Sequence, residues 1–312
     1  LNYLIMNKKY RIGTRFLAVI VLCIVFLSGC GSGGGEKVQK KQTEVTPPKD
    51  NTKAIQDVKQ AEKIFNALPS PLESAMLMKS AGAKFDRKFL NAVENAKNYT
   101  TQSSQALNLG IFTCDLSFAS LYDQTQLIID YMNAAKKMAD GLGILDAINQ
   151  ATIDDLENNI NNTEVIMKIV SETFLNSNSY LADNDQPAIA SIVLVGGWIE
   201  GLYIATQLVD EKDFNGNKLV SRIIDQKLSI DVLQNLLINN KENPAVGGLI
   251  IQMDKLRIVF DKIKITTKPI KTEIDKNTNT TILKSEVSTD MSLATFKELS
   301  GVVADIRSTF VK

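Results

Sequence analysis

The sequence predicts an all-α fold, either a multi-helix bundle or an α-α superhelical array of about eight to ten helices. Apolar residues recur at helical spacing over most of the chain beyond residue 52, and proline is scarce, with 7 in 312 residues. Cap residues also stand where such stripes begin and end. One Thr/Asn-rich stretch, 266–289, lacks the helical pattern and is predicted to be a loop or a β-hairpin.

The N-terminal region has the order of a lipoprotein signal peptide. After Met6 come four basic residues, then the uncharged run 16–27, then Leu27-Ser28-Gly29-Cys30. Small residues directly before a cysteine are typical of a lipobox, so Cys30 is predicted to be lipidated and to become the mature N-terminus. An uncleaved N-terminal anchor is the alternative, and it is less favoured because a glycine-rich stretch follows Cys30.

The chain therefore divides into three predicted parts. Residues 1–29 are the signal peptide, 30–52 are the lipidated cysteine with a flexible Gly/Lys/Thr-rich tether, and 53–312 are a single helical domain. The segments Leu121–Leu127 and Leu202–Leu208 have similar sequences, and both are predicted to lie inside long helices. A domain built from two related halves is therefore an open alternative.

Several local signals define the predicted helices. Pro69-Ser70-Pro71 ends one helix and caps the next, Gly141 and Gly143 end the long helix, and Thr152 caps another with Asp154 and Asp155 in its first turn. The predicted helices are 55–68, one after Ser70, 86–99, 103–142, 152–176, 187–209, 219–227, 231–239, 245–265 and a closing helix capped by Ser292.

The most apolar of these helices, 187–209, has the length of a membrane span and carries one charge, Glu200. It also contains Gly197-x-x-x-Gly201, a spacing that lets two helices approach closely. A buried central helix is the preferred interpretation, because the amphipathic helices around it need a core to pack against.

The composition excludes several kinds of chemistry. The chain has no histidine, which removes Ser-His-Asp and Cys-His nucleophiles and His-ligated zinc. Of three cysteines, Cys23 leaves with the signal peptide and Cys30 carries lipid, so Cys114 has no disulfide partner in the mature chain. Basic and acidic residues number 35 each, which argues against a nucleic-acid partner.

Two polar faces are the candidate ligand-binding site. Asp115, Tyr122 and Gln126 share a face of the predicted helix 103–142, and Glu200, Tyr203 and Gln207 share a face of helix 187–209, near the single tryptophan, Trp198. If the faces meet, they form a pocket for a small polar ligand. A satisfied buried hydrogen-bond network or two separate solvent-facing surfaces are the alternatives.

No metal site or cofactor is predicted. Residues 211–217 slightly resemble a calcium-binding loop, but Arg222 stands where the bidentate glutamate is needed, so this segment is predicted to be an ordinary turn.

The stretch from Asn108 to Tyr122, with Pro69-Ser70-Pro71 before it and Gly141–Ile144 after it, resembles a motif in uncharacterised helical lipoproteins of Bacteroidota. The resemblance covers about a third of the chain. It implies the all-helical fold and the envelope compartment, and it supplies no activity and no catalytic residue.

These observations favour a lipid-anchored, non-enzymatic binding or scaffold domain for an envelope protein partner. Gly31, rather than Asp, follows Cys30, which favours the outer membrane with the periplasmic face preferred and the cell surface left open. A lipoprotein that binds a small ligand or a glycan is the second hypothesis. A hydrolase using a carboxylate pair such as Asp115 and Glu200 is the third.

Overall fold

The computed structural model describes residues 79–80, 84–145, 148, 150–267, 271–275, 280–284 and 287–312. The predicted signal peptide, Cys30, the tether and the helix 55–68 lie outside the described residues. The helix expected after Ser70 is described only at Lys79 and Ser80, which are helical. All described residues belong to one compact unit, 48–312.

The predicted all-α fold class is confirmed. Several helices begin at the caps that helix physics favours: the Ser292 hydroxyl accepts a hydrogen bond from the amide of Thr295 (3.1 Å), and Pro187 and Pro244 stand in first turns. In the described part of the chain the α-helices are α1 (Gln102–Leu121), α2 (Thr125–Gly141), α3 (Gln150–Asn158), α4 (Thr163–Asp183), α5 (Pro187–Gln207), α6 (Lys218–Asn239), α7 (Pro244–Phe260) and α8 (Leu293–Phe310).

The single helix predicted over 103–142 is wrong, because the chain breaks between α1 and α2. Asp123 adopts a left-handed conformation (φ 55°), and the amides of Asp123 and Gln124 donate to the carbonyls of Ser120 and Ala119. This is a Schellman motif with Asp in the place that glycine usually takes. No glycine or proline marks the break, and the apolar helical pattern continues across it, so the sequence predicted one helix.

The segment predicted as a helix over 86–99 instead forms two short 3₁₀ helices, Arg87–Phe89 and Val93–Lys97. Between them the backbone of Asn91 bonds to other elements: its amide donates to Asp115 (3.0 Å) and its carbonyl accepts from Tyr131 (2.9 Å). A continuous helix would have used those backbone groups internally.

Two further boundaries differ from the prediction. The expected helix 152–176 is divided into α3 and α4, with Asn162 capping α4 and Thr152 inside α3 rather than at its cap. The two helices expected over 219–239 are one helix, α6, because Ile230 continues the buried stripe across the predicted gap at 1 % exposure.

Helix α5 is the centre of the fold. It packs against α1, α4, α6 and α8, and 83 % of its most apolar 18-residue window is buried. Among the described residues it is the one helix long and apolar enough to cross a membrane, and in this structure protein covers its apolar surface. This burial agrees with the preferred interpretation of a buried central helix.

Glycines set the closeness of α1 and α5. A Cβ built on Gly110 would collide with the carbonyl oxygen of Val193, and one built on Gly196 would collide with the carbonyl oxygen of Leu107. Gly196 is therefore in closer contact than Gly201 of the predicted Gly-x-x-x-Gly pair, whose added Cβ would lie 3.7 Å from the Cys114 sulfur. The two backbones touch only because neither glycine carries a side chain.

The described parts of the stretch 266–289, for which a loop and a β-hairpin were both open, are β-strands. Strand β1 (Lys264–Thr267) pairs antiparallel with β4 (Val287–Asp290), and β2 (Lys271–Asp275) pairs antiparallel with β3 (Thr280–Lys284). The two pairs are nested in sequence between α7 and α8.

The two similar segments occupy different structural settings. Leu121–Leu127 spans the break between α1 and α2, whereas Leu202–Leu208 is the last turns and the C-cap of α5. The expectation that both lie inside long helices is wrong, which removes the structural argument for a duplication.

Candidate functional site

The predicted polar face of α5 lies against α8. Glu200 accepts two hydrogen bonds from Arg307, whose guanidinium stands 4.5 Å from the centre of the Tyr203 ring. Two helical turns further along α5, Gln207 donates to the hydroxyl of Ser300 (3.2 Å). Glu200, Tyr203 and Gln207 therefore share one seam between α5 and α8, as their spacing along α5 required.

The carboxyl group of Asp115, on α1, meets Glu200 in the core. Both residues are fully buried, at 0 % exposure. The amide of Asn91 donates to Asp115 Oδ2 (3.0 Å), while Oδ1 receives no donor from any residue the structure describes. A proton on Asp115 would give this oxygen a partner, because it could then donate to the Glu200 carboxylate.

Burial raises the pKa of Asp115 well above its ordinary value, and the negative charge of Glu200 raises it further. The guanidinium of Arg307 and the amide of Asn91 act in the opposite direction, but they do not outweigh burial. Burial beside a second carboxyl group therefore favours the protonated form of Asp115.

Arg307 is the cation of this cluster. Its Nε and Nη2 atoms donate to the two oxygens of Glu200, each at 2.8 Å, and Nη2 also donates to the carbonyl of Phe89 at 3.2 Å. Burial alone would lower the pKa of Arg307, but the hydrogen bonds to Glu200 and the charge of that carboxylate raise it above its ordinary value. This two-pronged geometry is the strongest that a guanidinium makes with a carboxylate.

Amides and phenols extend the cluster beyond the charges. The side-chain amide of Asn91 donates to Tyr99 and to Asn108, both at 3.0 Å, and the hydroxyl of Tyr131 donates to the carbonyl of Asn91 at 2.9 Å. Asn108 in turn donates to the carbonyl of Phe310, near the end of α8. Hydrogen bonds thus tie the segment before α1, helices α1 and α2, and the C-terminal helix into one buried network.

Two other predicted residues of the α1 face lie outside this network. Tyr122 is half-buried and packs on Phe118, with ring centres 5.1 Å apart. Gln126 is exposed on α2 and donates to Asp130 at 2.9 Å. The helix break at Asp123 turns Gln126 away from the line of Asp115, so the expected common face ends there.

Trp198 also lies apart, on a different side of α5. Its indole N–H donates to the side-chain carbonyl of Gln226 on α6 (2.9 Å), and its ring stands 6.4 Å from that of Phe260 on α7. Two residues after Trp198 the helix has turned by about 200°, so Trp198 and Glu200 point to opposite sides. The structure therefore brings together Asp115, Glu200, Tyr203 and, further along the seam, Gln207.

Sequence reasoning missed Arg307 and Asn91, the two residues that complete the cluster. Arg307 had a signal: it is the single arginine of the closing helix, and it lies four residues after Val303 and three before Phe310, on the apolar stripe. A cation on a buried stripe needs an anionic partner, and Glu200 in the most apolar helix is the complementary observation. Asn91 had no such signal, because its role depends on its backbone.

The cluster is closed rather than open. Glu200 has no exposed surface, Arg307 retains 12 % of its side-chain exposure, and Tyr203 covers the guanidinium. Hydrolysis with a carboxylate pair needs a cleft that admits a substrate and water between the two groups. With both carboxyl groups at zero exposure, this arrangement acts as a hydrogen-bonded core rather than as a catalytic cleft.

A second feature of interest is an exposed apolar surface on the antiparallel pair α6 and α7. Four large apolar side chains are exposed there: Leu228 (69 %), Ile238 (44 %), Ile251 (61 %) and Ile258 (62 %). We call these four residues the outward strip. They include most of the large apolar side chains that are exposed in the described part of the chain.

The four residues of the outward strip lie on one side of the helix pair. Lys227 pairs with Asp261 and Gln234 contacts Asp254, which marks the line where α6 and α7 meet. At about 100° per residue, Ile238 and Leu228 lie about 40° and 120° around α6 from Gln234. On α7, Ile251 and Ile258 lie about 60° and 40° from Asp254. All four rotations have the same sense along their own helix. Because α6 and α7 run antiparallel, this sense places the four side chains on the same side of the pair, away from the core.

No group of three or more Cys, Asp or Glu side chains is placed to hold a metal ion within the described residues. In the loop that resembled a calcium site, Glu211 instead forms an ion pair with Lys297 at 2.8 Å.

No protein-family model matches the chain, and neither a curated protein nor a solved structure matches it.

Proposed function

We propose that this chain is a lipid-anchored protein of the outer membrane whose helical body is a non-enzymatic binding or scaffold domain for an envelope protein partner. The proposal has two parts, an anchor and a docking surface. The anchor rests on the sequence order of basic region, apolar run and Leu27-Ser28-Gly29-Cys30. The docking surface rests on the outward strip.

The outward strip is the observation that supports a protein partner. Ile251 and Ile258 are spaced i, i+7 on α7, and they stay more than 60 % exposed while the other large apolar side chains of the helix are buried or half-buried. Gly247 lies one turn before Ile251 on the same side, and a Cβ added to it would meet no atom within 4 Å. Exposed apolar side chains in a row favour association, since burying them removes apolar surface from water.

The chemistry of the strip fits one kind of occupant, an amphipathic helix of the partner. Ile251 and Ile258 repeat along α7 at helical spacing, Ile238 lies on the same side of α6, and Gly247 leaves room for a partner backbone to come close. A partner helix lying along the line between α6 and α7 would cover Ile238, Ile251 and Ile258 together. A periplasmic protein at the same membrane is the preferred source of such a helix.

A photo-crosslinking experiment tests the docking surface. A photoreactive amino acid replaces Ile251 in the full chain in living cells, and the matched control carries it in place of Lys297, which is exposed on α8. We expect an adduct with one envelope protein from position 251 and none from position 297. The crosslinked protein is identified by mass spectrometry and then purified for direct binding.

The purified partner must bind the purified chain, and Ile251→Ser with Ile258→Ser must raise the Kd by about tenfold or more, since each buried isoleucine contributes about 1.5–3 kcal/mol. Lys255→Ser, on the same side of α7, is the control and should leave the Kd nearly unchanged. Equal crosslinking from 251 and 297, or binding that ignores both isoleucines, contradicts the proposal.

The closed geometry of the carboxyl cluster is a reason to propose binding rather than hydrolysis. Arg307 occupies the space where a ligand between Glu200 and Tyr203 would sit, and it already satisfies both Glu200 oxygens. Because Arg307 fills this space, the small-ligand hypothesis built on the polar faces of α1 and α5 has no open pocket there. We therefore propose the cluster as the device that fixes α1, α5 and α8 beneath the docking helices.

A further inference from the structure

A small cavity lies between α1, α2, α3 and α4, and no residue of the carboxyl cluster lines it. Its volume is about 50 Å³. Most of its wall is apolar, formed chiefly by Leu109, Leu116, Met132, Ile153, Val170 and Phe174. A cavity of this kind that holds water must offer the water several polar partners, and this one offers few.

One polar group on the cavity wall lacks a hydrogen-bond partner. Ser177, on α4, is 3 % exposed, and its hydroxyl makes no hydrogen bond to any residue that the structure describes. Thr113 on the same wall behaves differently, because its hydroxyl donates to the carbonyl of Leu109 at 2.7 Å. A buried hydroxyl without a partner costs about 1–3 kcal/mol. The Ser177 hydroxyl is therefore available to bond to a ligand in the cavity.

A cation stands on the same wall. Lys136, on α2, lines the cavity and is half-buried, and no carboxylate pairs with it among the residues described. Its neighbour Lys137 is exposed and does not line the cavity. The half-buried lining residues, Lys136, Thr173 and Ile148, mark the side on which the cavity reaches solvent.

We infer that this cavity binds a small monocarboxylate with a linear apolar body, such as a short-chain fatty acid. The apolar chain lies among the side chains of α1, α3 and α4, and the carboxylate accepts hydrogen bonds from Ser177 and Lys136. At roughly 10–15 Å³ for each water-sized group, the volume suits an apolar chain of about three to five carbons beyond the carboxyl group. The inference is independent of the outward strip, which belongs to α6 and α7.

Hexanoate is the probe for the first test. The full chain carries ¹³C-methyl methionine, and Met132, which lines the cavity, reports on binding, while Met253, buried on α7, is the internal reference. We expect a saturable shift of the Met132 methyl signal and an unchanged Met253 signal. A silent Met132 signal at saturating hexanoate would overturn the inference.

The head group is tested with matched lysine variants. Lys136→Gln should raise the hexanoate Kd about threefold to fivefold, the size of a solvent-accessible ion pair, and Lys137→Gln should leave it unchanged. Hexanol, which has the same chain without the charge, should bind more weakly than hexanoate. Equal affinities for hexanoate and hexanol, or equal effects of the two lysine variants, would overturn the carboxylate assignment.

Ser177→Ala separates binding from a purely structural role. Removing a hydroxyl that lacks a partner should leave the ligand-free protein as stable or slightly more stable, yet it should raise the hexanoate Kd about twofold to tenfold. Ser179→Ala, exposed on the same helix, is the control. If Ser177→Ala lowers the stability and leaves the Kd unchanged, the hydroxyl serves the fold and the inference fails.

Discussion

The guanidinium of Arg307 holds both oxygens of the Glu200 carboxylate, each at 2.8 Å, across the contact between the last helix and the central one. Glu200 has no exposed surface and Arg307 has little. Burying two charges is costly, and the cost is offset because both carboxylate oxygens accept from the guanidinium, which also donates to the carbonyl of Phe89. Removing either member alone therefore leaves a charge that the core cannot accommodate.

Arg307→Ala should lower the free energy of unfolding by about 3–5 kcal/mol, because Glu200 would remain buried without its cation. Urea denaturation followed by circular dichroism measures this loss. Arg222→Ala is the matched control: Arg222 pairs with Asp225 at the surface, where both side chains are about half exposed, and should cost less than about 1 kcal/mol.

A double-mutant cycle adds a second check on the same pair. Glu200→Gln combined with Arg307→Ala should be more stable than Arg307→Ala alone, since the variant no longer buries an unpaired anion. If the two substitutions are additive, the pair is not coupled and the interpretation of the cluster is wrong.

Asp115→Asn should change how stability depends on pH. The folded protein raises the pKa of Asp115 above its ordinary value of 3.8, so the folded state binds a proton that the unfolded state releases. This carboxyl therefore stabilises the fold most below pH 3.8 and loses its contribution as pH rises toward the folded pKa. Asn removes the titration while keeping an acceptor for the Asn91 amide and a donor toward Glu200.

We therefore expect the unfolding free energy of Asp115→Asn, relative to the unsubstituted protein, to rise with pH above 3.8 by up to about 1.4 kcal/mol per pH unit. Denaturation series between pH 4 and pH 8 provide the comparison. Asp140→Asn, an exposed carboxyl on α2, should show no such trend. A flat difference for Asp115→Asn would mean that Asp115 is ionised in the fold.

Gly196→Ala should destabilise the protein by about 3 kcal/mol, because the new methyl group meets the carbonyl of Leu107 and forces α1 and α5 apart. Gly301→Ala on α8 is the matched control, since its Cβ meets no atom within 4 Å. That control should stabilise the protein by about 0.5–1 kcal/mol through helix propensity. Thermal unfolding of the two variants distinguishes close helix contact from a general effect of alanine.

Cys30→Ser should abolish lipid attachment and release the chain from the membrane, because acyl chains on Cys30 are the proposed anchor. Metabolic labelling with an alkyne fatty acid, followed by fractionation, measures both effects. Cys23→Ser lies within the predicted signal peptide and should leave labelling intact. Labelling that survives Cys30→Ser would show that the lipobox interpretation is wrong.

The helix ends marked by Ser292 and Gly143 were predicted, Thr152 was wrongly predicted as a cap, and breaks without local signals were missed. Ser292 caps α8, and Gly143 takes the left-handed position (φ 70°) just after the end of α2, because caps and glycines act within one turn of the chain. The break at Asp123 was missed, since an aspartate takes the left-handed position that glycine usually marks. Over 86–99 the apolar pattern suggested a helix, but Asn91 uses its backbone to bond with α1 and α2.

The sequence by itself determined the helical class and the apolar central helix, because each depends on residue types and short spacings; it contains no histidine, and the lipobox stays a prediction. Only the tertiary structure decided what the polar residues do. Asp115, Glu200 and Arg307 are distant in sequence, and their meeting depends on Gly110 and Gly196 letting α1 and α5 touch. The contact places Asp115 and Glu200 in a closed hydrogen-bonded core instead of an open pocket, since a buried charge persists only where a partner from another helix reaches it.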